Sequence, residues 1–305
     1  MVMFLVAFTC LFFIKNNNRR LLEQRFQEAV DACQHFSRPL GVSDNAPYAT
    51  HILELLLSID HVFILSLDEC ETKLPKSFAG RATCVVGTKI DVCAPNEFIR
   101  GPYTHAMRVS FMHATVLYLS KKANYHHVAL LEDDVAVRHG MFSEKLLPDF
   151  GKILSSETWS MIRFGFRPYF LEENSRERCP RMCRCYIKQN IAHEFCKLPK
   201  AGCDMRSSDF YVINKDSYAA LLAKLLDMTQ ANSKRIIDTA PMRSLENQWL
   251  ILPQASIQTK LDIPVDYQIG LGALYVKKCV LPRPVPEIAS QQLFNVSGQY
   301  NSDVA

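Results

Sequence analysis

At 305 residues the chain has room for one large domain or two small ones, with ample core. Its 48% hydrophobic and 22% charged residues are those of a globular protein and exclude a disordered one. The formal net charge of +4 is small for this length, and with no basic-aromatic signature beside it nucleic acid is not an expected partner.

Residues 1–14, MVMFLVAFTCLFFI, carry no charged side chain. As a helix they would reach about 21 Å, short of the roughly 30 Å hydrocarbon core. That length suits the apolar region of a signal peptide, yet no small-residue cleavage site follows. Lys15-Asn16-Asn17-Asn18-Arg19-Arg20 comes next, a basic cluster that favours a cytosolic flank. The expectation is a signal-anchor or transmembrane segment over 1–14, with a cleaved signal or a buried helix as alternatives. From Arg19 to Arg38, Leu22, Phe26, Ala29, Val30 and Cys33 recur at helical spacing, as in a stem or a docked helix. Pro39, Gly41, Asn45 and Pro47 mark a linker, and 51–58 reads as a short helix. Together 15–58 form a stem with N-terminal helices.

Residues 61–68 read as the first core strand and end in the polar Asp68, Glu69 and Glu71. A second short strand is expected at 82–86, then a loop at 95–102. Residues 104–122 predict a helix whose Ala106, Val109, Met112, Val116 and Leu119 form an apolar stripe. His113 lies off that stripe and reads as a surface or lightly packed histidine. The run His127-Val128-Ala129-Leu130-Leu131 has no polar face, which predicts a strand buried on both sides, as in a parallel sheet. Strand, helix and strand then make a βαβ crossover.

The strand should stop at Glu132, because carboxylates do not share such burial without neutralisation. Glu132, Asp133 and Asp134 therefore sit at its C-terminal edge, where open α/β sheets place their ligands. In an extended chain Glu132 and Asp134 point to one side, roughly 7 Å apart. Both then approach one hard divalent cation, Mn or Mg, which prefers carboxylate oxygen. The plainer reading is a solvated acidic loop.

Residues 142–154 can be helical, with Pro148 as an interruption. Residues 159–166 resemble a strand that includes Arg163. The segment 168–203 has little periodicity, and Cys179, Cys183, Cys185, Cys196 and Cys203 crowd into it. It reads as an inserted loop region stapled by disulfides, with a structural zinc knot as second reading. Phe210-Tyr211-Val212-Ile213 is a strand candidate, after which Asn214 caps a helix with Tyr218, Leu221, Leu222 and Leu225 on one face. A second polar concentration, Asp238, Arg243, Glu246 and Asn247, precedes the apolar Trp249-Leu250-Ile251-Leu252. Asn295-Val296-Ser297 is an N-glycosylation acceptor sequence in a tail, 281–305, expected to be extended and mobile.

Taken in order, the strand at 61–68, the helix at 104–122, Leu130-Leu131-Glu132-Asp133-Asp134-Val135, the strand at 159–166 and the stretch from Tyr211 to Leu222 resemble glycosyltransferase family 25. The Met107 to His113 segment leading into the acids is similar to the family's "GCxxSH … LEDDV" pairing, and Ile237-Asp238 to its late aspartate. The likeness runs over roughly 60–255. It implies an α/β, GT-A-like Rossmann-type mixed sheet flanked by helices over 59–280, with a Cys-rich insertion and an N-terminal apolar helix.

It further implies a metal-dependent transferase that moves a sugar, with galactose the candidate, from a UDP-sugar donor to a glycan or protein acceptor with inversion. Glu132 and Asp134 would hold Mn or Mg, and Asp133 would be a ligand or sugar contact. Ser66, Asp68 and Arg163 are further donor contacts at strand ends; for Arg163 an ordinary salt bridge is the competing reading. Asp238 is the candidate base and Glu246 the reserve. The implied location is a Golgi or ER membrane, spanned once. The chain departs from the family in lacking arginines after its opening strand, in having Arg108-Val109 where glycine and cysteine are usual, and in having no histidine after His193 as a further metal ligand; Asp262 or Asp266 would have to substitute. The rival readings are a membrane-tethered binding protein without turnover and a zinc- or disulfide-stapled interaction module.

Overall fold

The computed structural model describes residues 2–33, 37–43, 51–70, 74–89, 104–138, 145–169, 179–188, 194–198, 200–230, 240–252, 256–258, 265–281 and 293–295. Its centre is a mixed sheet of ten strands. In chain order these are β1 (Ser37–Pro39), β2 (His61–Ser66), β3 (Ala82–Val86), β4 (His127–Glu132), β5 (Met161–Arg163), β6 (Cys185–Tyr186), β7 (Phe195–Leu198), β8 (Phe210–Asn214), β9 (Gln248–Ile251) and β10 (Val280–Leu281). Across the sheet they lie in the order β1-β3-β2-β4-β8-β5-β9-β7-β6-β10. β2 pairs in parallel with both β3 and β4, so the chain leaves β2 in one direction and returns on its other side. β8 runs antiparallel to both β4 and β5, which makes β5 and its parallel neighbour β9 co-directional with β4.

The apolar runs explain this centre. All six residues of β2 are buried, as are Val128 to Leu131 of β4. Side chains alternate across the two faces of a strand. Phe63, Leu65, Val128 and Leu130 join one core, and Val62, Ile64, Ala129 and Leu131 join the other. The first core is closed by the helices Thr104–Lys122 and Tyr218–Gln230, and the second by His51–Leu56 and Leu146–Ser156. Asn214 accepts from the Asp216 N–H and caps the 3-10 turn Lys215–Ser217 that leads into the Tyr218 helix.

Several expectations change. The N-terminal helix is continuous from Val2 to Ala32, and its Leu22, Phe26, Ala29 and Val30, with Cys33 after it, are buried, which is the docked helix of the two readings. Among the described residues no helix is long and apolar enough to cross a membrane. Pro148 does not interrupt its helix, because it falls in the first turn of Leu146–Ser156, where a missing N–H breaks no helical bond.

The face of Thr104–Lys122 is wider than a stripe. Every residue from Ser110 to Leu117 is buried, His113 included, while Val109 and Leu119 stay partly exposed. The Cys-rich segment is more than a loop. β6 and β7 extend the main sheet, and Phe166, Ile187, Leu198, Leu271, Tyr275 and Val276 share a third core with its cysteines. Disulfides join Cys183 to Cys203, Cys185 to Cys196 and Cys70 to Cys84. Four of the cysteines of the zinc reading are thereby unavailable as thiolate ligands. In the tail, Leu293–Asn295 pairs with Val135–Arg138, which also pairs with Ser256–Gln258 in a small second sheet, so that part of 281–305 is ordered. The rest of the tail beyond Leu281 lies outside the described residues.

Candidate functional site at the carboxyl edge of the sheet

β2 and β4 end side by side, with Leu65 opposite Glu132. The next residue on each strand continues the register into the polar edge. The Ser66 hydroxyl donates to Asp133 Oδ2 at 2.8 Å, and the Asp133 N–H donates to the Leu65 carbonyl at 2.9 Å. Asp133 is therefore held on the face that carries Val62 and Ile64. Glu132 follows Val128 and Leu130 onto the opposite face. There its Oε1 accepts from the Ser208 hydroxyl at 2.8 Å and lies 3.5 Å from His113 Nε2.

His113 reaches Glu132 from the middle of the Thr104–Lys122 helix. Its Nδ1 is 2.7 Å from the Tyr211 hydroxyl, and the two rings stack with centroids 5.7 Å apart. Burial first, and the charge of Glu132 second, push the Tyr211 phenol well above its usual pKa, so it stays protonated. The imidazole thus has the Tyr211 hydroxyl at Nδ1 and the Glu132 carboxylate on its Nε2 side, and its tautomer decides which of the two it meets as a donor. Tyr211, His113 and Glu132 therefore lie in a row that ends at one of the three acids.

Strand alternation stops at Glu132. Asp133 and Asp134 form the turn into Val135–Arg138, so the extended-chain geometry that was expected to bring Glu132 and Asp134 to one side does not apply to Asp134. Asp134 is partly exposed, with Oδ1 shielded from solvent. Among the described residues no three His, Cys, Asp or Glu side chains are grouped so as to hold a metal ion by themselves. The donor chemistry nonetheless suits Mg or Mn, which take one or two carboxylates and complete their shell with phosphate oxygens and water.

A second polar cluster adjoins this edge, because β8 begins where β4 ends. Asp209, fully buried, accepts from the Ser207 hydroxyl and, at 2.9 Å, from the Ser256 hydroxyl. Burial pushes its carboxyl up against those hydrogen bonds and the nearby Arg163 charge, which pull it down. Gly165 packs against this carboxylate; a Cβ there would collide with it and would lie 2.6 Å from Ser256 Oγ. Arg163, expected as a donor contact, is turned into the protein. Its guanidinium donates to the carbonyls of Met205 at 3.1 Å, Arg206 at 2.8 Å and Ser207. It braces the segment that carries Ser208 and Asp209.

The structure thus gathers Ser66, Glu132, Asp133 and Asp134 at one edge, with the exposed Asp68 just beyond β2. It does not bring Glu246 there. Glu246 precedes β9, which runs the same way as β4, so it lies at the opposite, amino edge of the sheet, where its carbonyl accepts from the Ser160 hydroxyl. Asp238 and Asp262 lie outside the described residues, as does the Asp266 side chain. Ser208, Asp209 and Tyr211 were missed in the sequence. They precede or begin a strand, and only its antiparallel pairing to β4 puts them at the same edge. No family model matches the chain, and no curated protein sequence matches it either.

Proposed function

We propose that the chain is a glycosyltransferase of the GT-A kind, taking a nucleotide sugar at the carboxyl edge of β2 and β4 and passing the sugar to a glycan or protein acceptor. The observation that carries this reading is the meeting of Glu132, Asp133 and Asp134 with Ser66 at the ends of two adjacent parallel strands, beside the point where the chain reverses its direction across the sheet. Glu132 or Asp134 would hold Mn or Mg. A bound cation of this kind supplies Lewis-acid stabilisation of a departing diphosphate. His113 and Ser208 keep the Glu132 carboxylate oriented, and Ser66 does the same for Asp133. Asp238 remains the base candidate of this reading, since Glu246 faces the other edge. The disulfides among the described residues support an oxidising compartment, the ER or Golgi.

The test is hydrolysis of UDP-sugars, UDP-galactose first, by the full chain with Mn or Mg and after chelation. Turnover should need the cation and should fall about hundredfold or more in Asp134→Ala, the usual effect of removing a group that meets developing charge. Screening UDP- and GDP-sugars by metal-dependent thermal stabilisation then identifies the donor. A second reading, a binding protein without turnover, is favoured by the internal hydrogen bonds that already engage Glu132 and Asp133. It predicts nucleotide and cation binding with no sugar release from any donor.

A further inference from the structure

We propose that Arg167 and Arg206 form a seat for a phosphate-type oxyanion at the same edge of the sheet, separate from the acids. The two residues are direct cross-strand partners in the ribbon made by Arg167–Pro168 and Met205–Arg206. Directly opposite side chains project from one face with Cβ atoms roughly 4.5–5.5 Å apart, and like charges so placed repel. A fold does not gain from that arrangement unless something negative lies between or over the pair.

Nothing described in the chain supplies it. Arg167 is only 7% exposed, yet its Nε and that of Arg206 are shielded from solvent without a hydrogen-bond partner among the described residues. None of the ion pairs among the described residues includes either arginine. The buried carboxylate nearest in the chain, Asp209, is taken up by Ser207, Ser256 and the charge of Arg163. Buried guanidinium donors left unmet by the described residues are costly, which is the ground for assigning the pair a negatively charged partner.

The geometry also selects the partner's shape. The Arg206 Cζ lies 3.3 Å from the centroid of the Tyr169 ring, a contact that holds the guanidinium in place. Two planar forks side by side match the oxygens of a tetrahedral oxyanion, which each can take in a bidentate manner. Ser207 and Ser208 link Arg206 to the Ser208–Glu132 hydrogen bond, so the seat adjoins the acids. Two ligands offer this chemistry, the diphosphate of a nucleotide donor and a phosphate or sulfate ester on an acceptor. Only the choice between them rests on the transferase reading.

The experiment is calorimetric titration of the full chain with inorganic pyrophosphate in EDTA, so that no cation bridges to the acids. Wild type should bind, Arg206→Gln should bind about tenfold or more weakly, and Arg206→Lys, which keeps charge but loses the fork, should fall between. Thermal unfolding without ligand checks that each variant is folded. Arg206 is only partly buried and its carbonyl contact to Arg163 is unaffected by substitution, so both variants should fold. Absence of metal-free binding by wild type, or equal affinity of wild type and folded Arg206→Gln, overturns the proposal. If UDP competes with pyrophosphate the seat serves the donor; if both bind together it serves an acid group of the acceptor. Arginine-dependent binding without UDP-sugar turnover leaves the seat standing and removes the transferase.

Discussion

His61 shows how much a single side chain's setting alters its chemistry. It lies on β2, buried, with Nε2 2.8 Å from Thr83 Oγ1 and its ring stacked on Tyr125 at 4.9 Å. Burial, helped by the charge of Arg81, lowers its pKa from 6.5 to about 4. The unfolded chain takes up this proton below pH 6.5, and the folded chain only below about 4. Stability is thus fully present above pH 6.5 and falls as pH drops toward 4, by roughly 2–3 kcal/mol. Urea unfolding at pH 7 and pH 4.5 checks this, and His61→Asn should flatten the difference. An unchanged slope in the variant would assign the effect to His127, whose pKa burial also lowers. His113 carries the same lesson for the site. Its place off the apolar stripe suggested exposure, but a helix packed between a sheet and two further helices buries more than one stripe. A polar residue there survives by meeting Tyr211 and Glu132, which are distant in sequence.

Among the elements, helices with a clear 3.6-residue pattern were legible almost to the residue, Thr104–Lys122 being one. What each helix packs against was not. The N-terminal helix illustrates this, because Phe26 meets Phe111 at 5.0 Å and Tyr118 at 6.2 Å, both edge-on. Around that contact Lys122 pairs with Asp31 at 2.8 Å and Lys121 with Glu23 at 3.7 Å, but exposed pairs of this kind add little. The apolar contact should dominate. Phe26→Ala is expected to cost about 3–5 kcal/mol, measured by denaturant unfolding. A loss below about 1 kcal/mol, the scale of the surface pairs alone, would mean the helix is only loosely attached.

For the whole molecule, the Cys-rich segment matters because it continues the sheet instead of hanging from it. Cys183–Cys203 and Cys185–Cys196 fasten β6 and β7 where little local pattern favours strands. Cys183 and Cys203 are 20 residues apart, a loop whose closure should stabilise the fold by about 3 kcal/mol. Replacing both by serine should lower the unfolding free energy by that order, read from the denaturant midpoint. An unchanged midpoint would show that the third core holds the segment without the link. The sequence by itself determined the buried parallel strands at β2 and β4, the stop at Glu132 and the mixed α/β class, because these follow from unbroken apolar runs and the cost of burying carboxylate. Only the tertiary structure decided which polar residues share an edge. Strand direction sends Glu246 to the far side and brings Ser208 and Asp209 beside Glu132, and direction is set by pairing between segments some eighty residues apart, which no local pattern encodes.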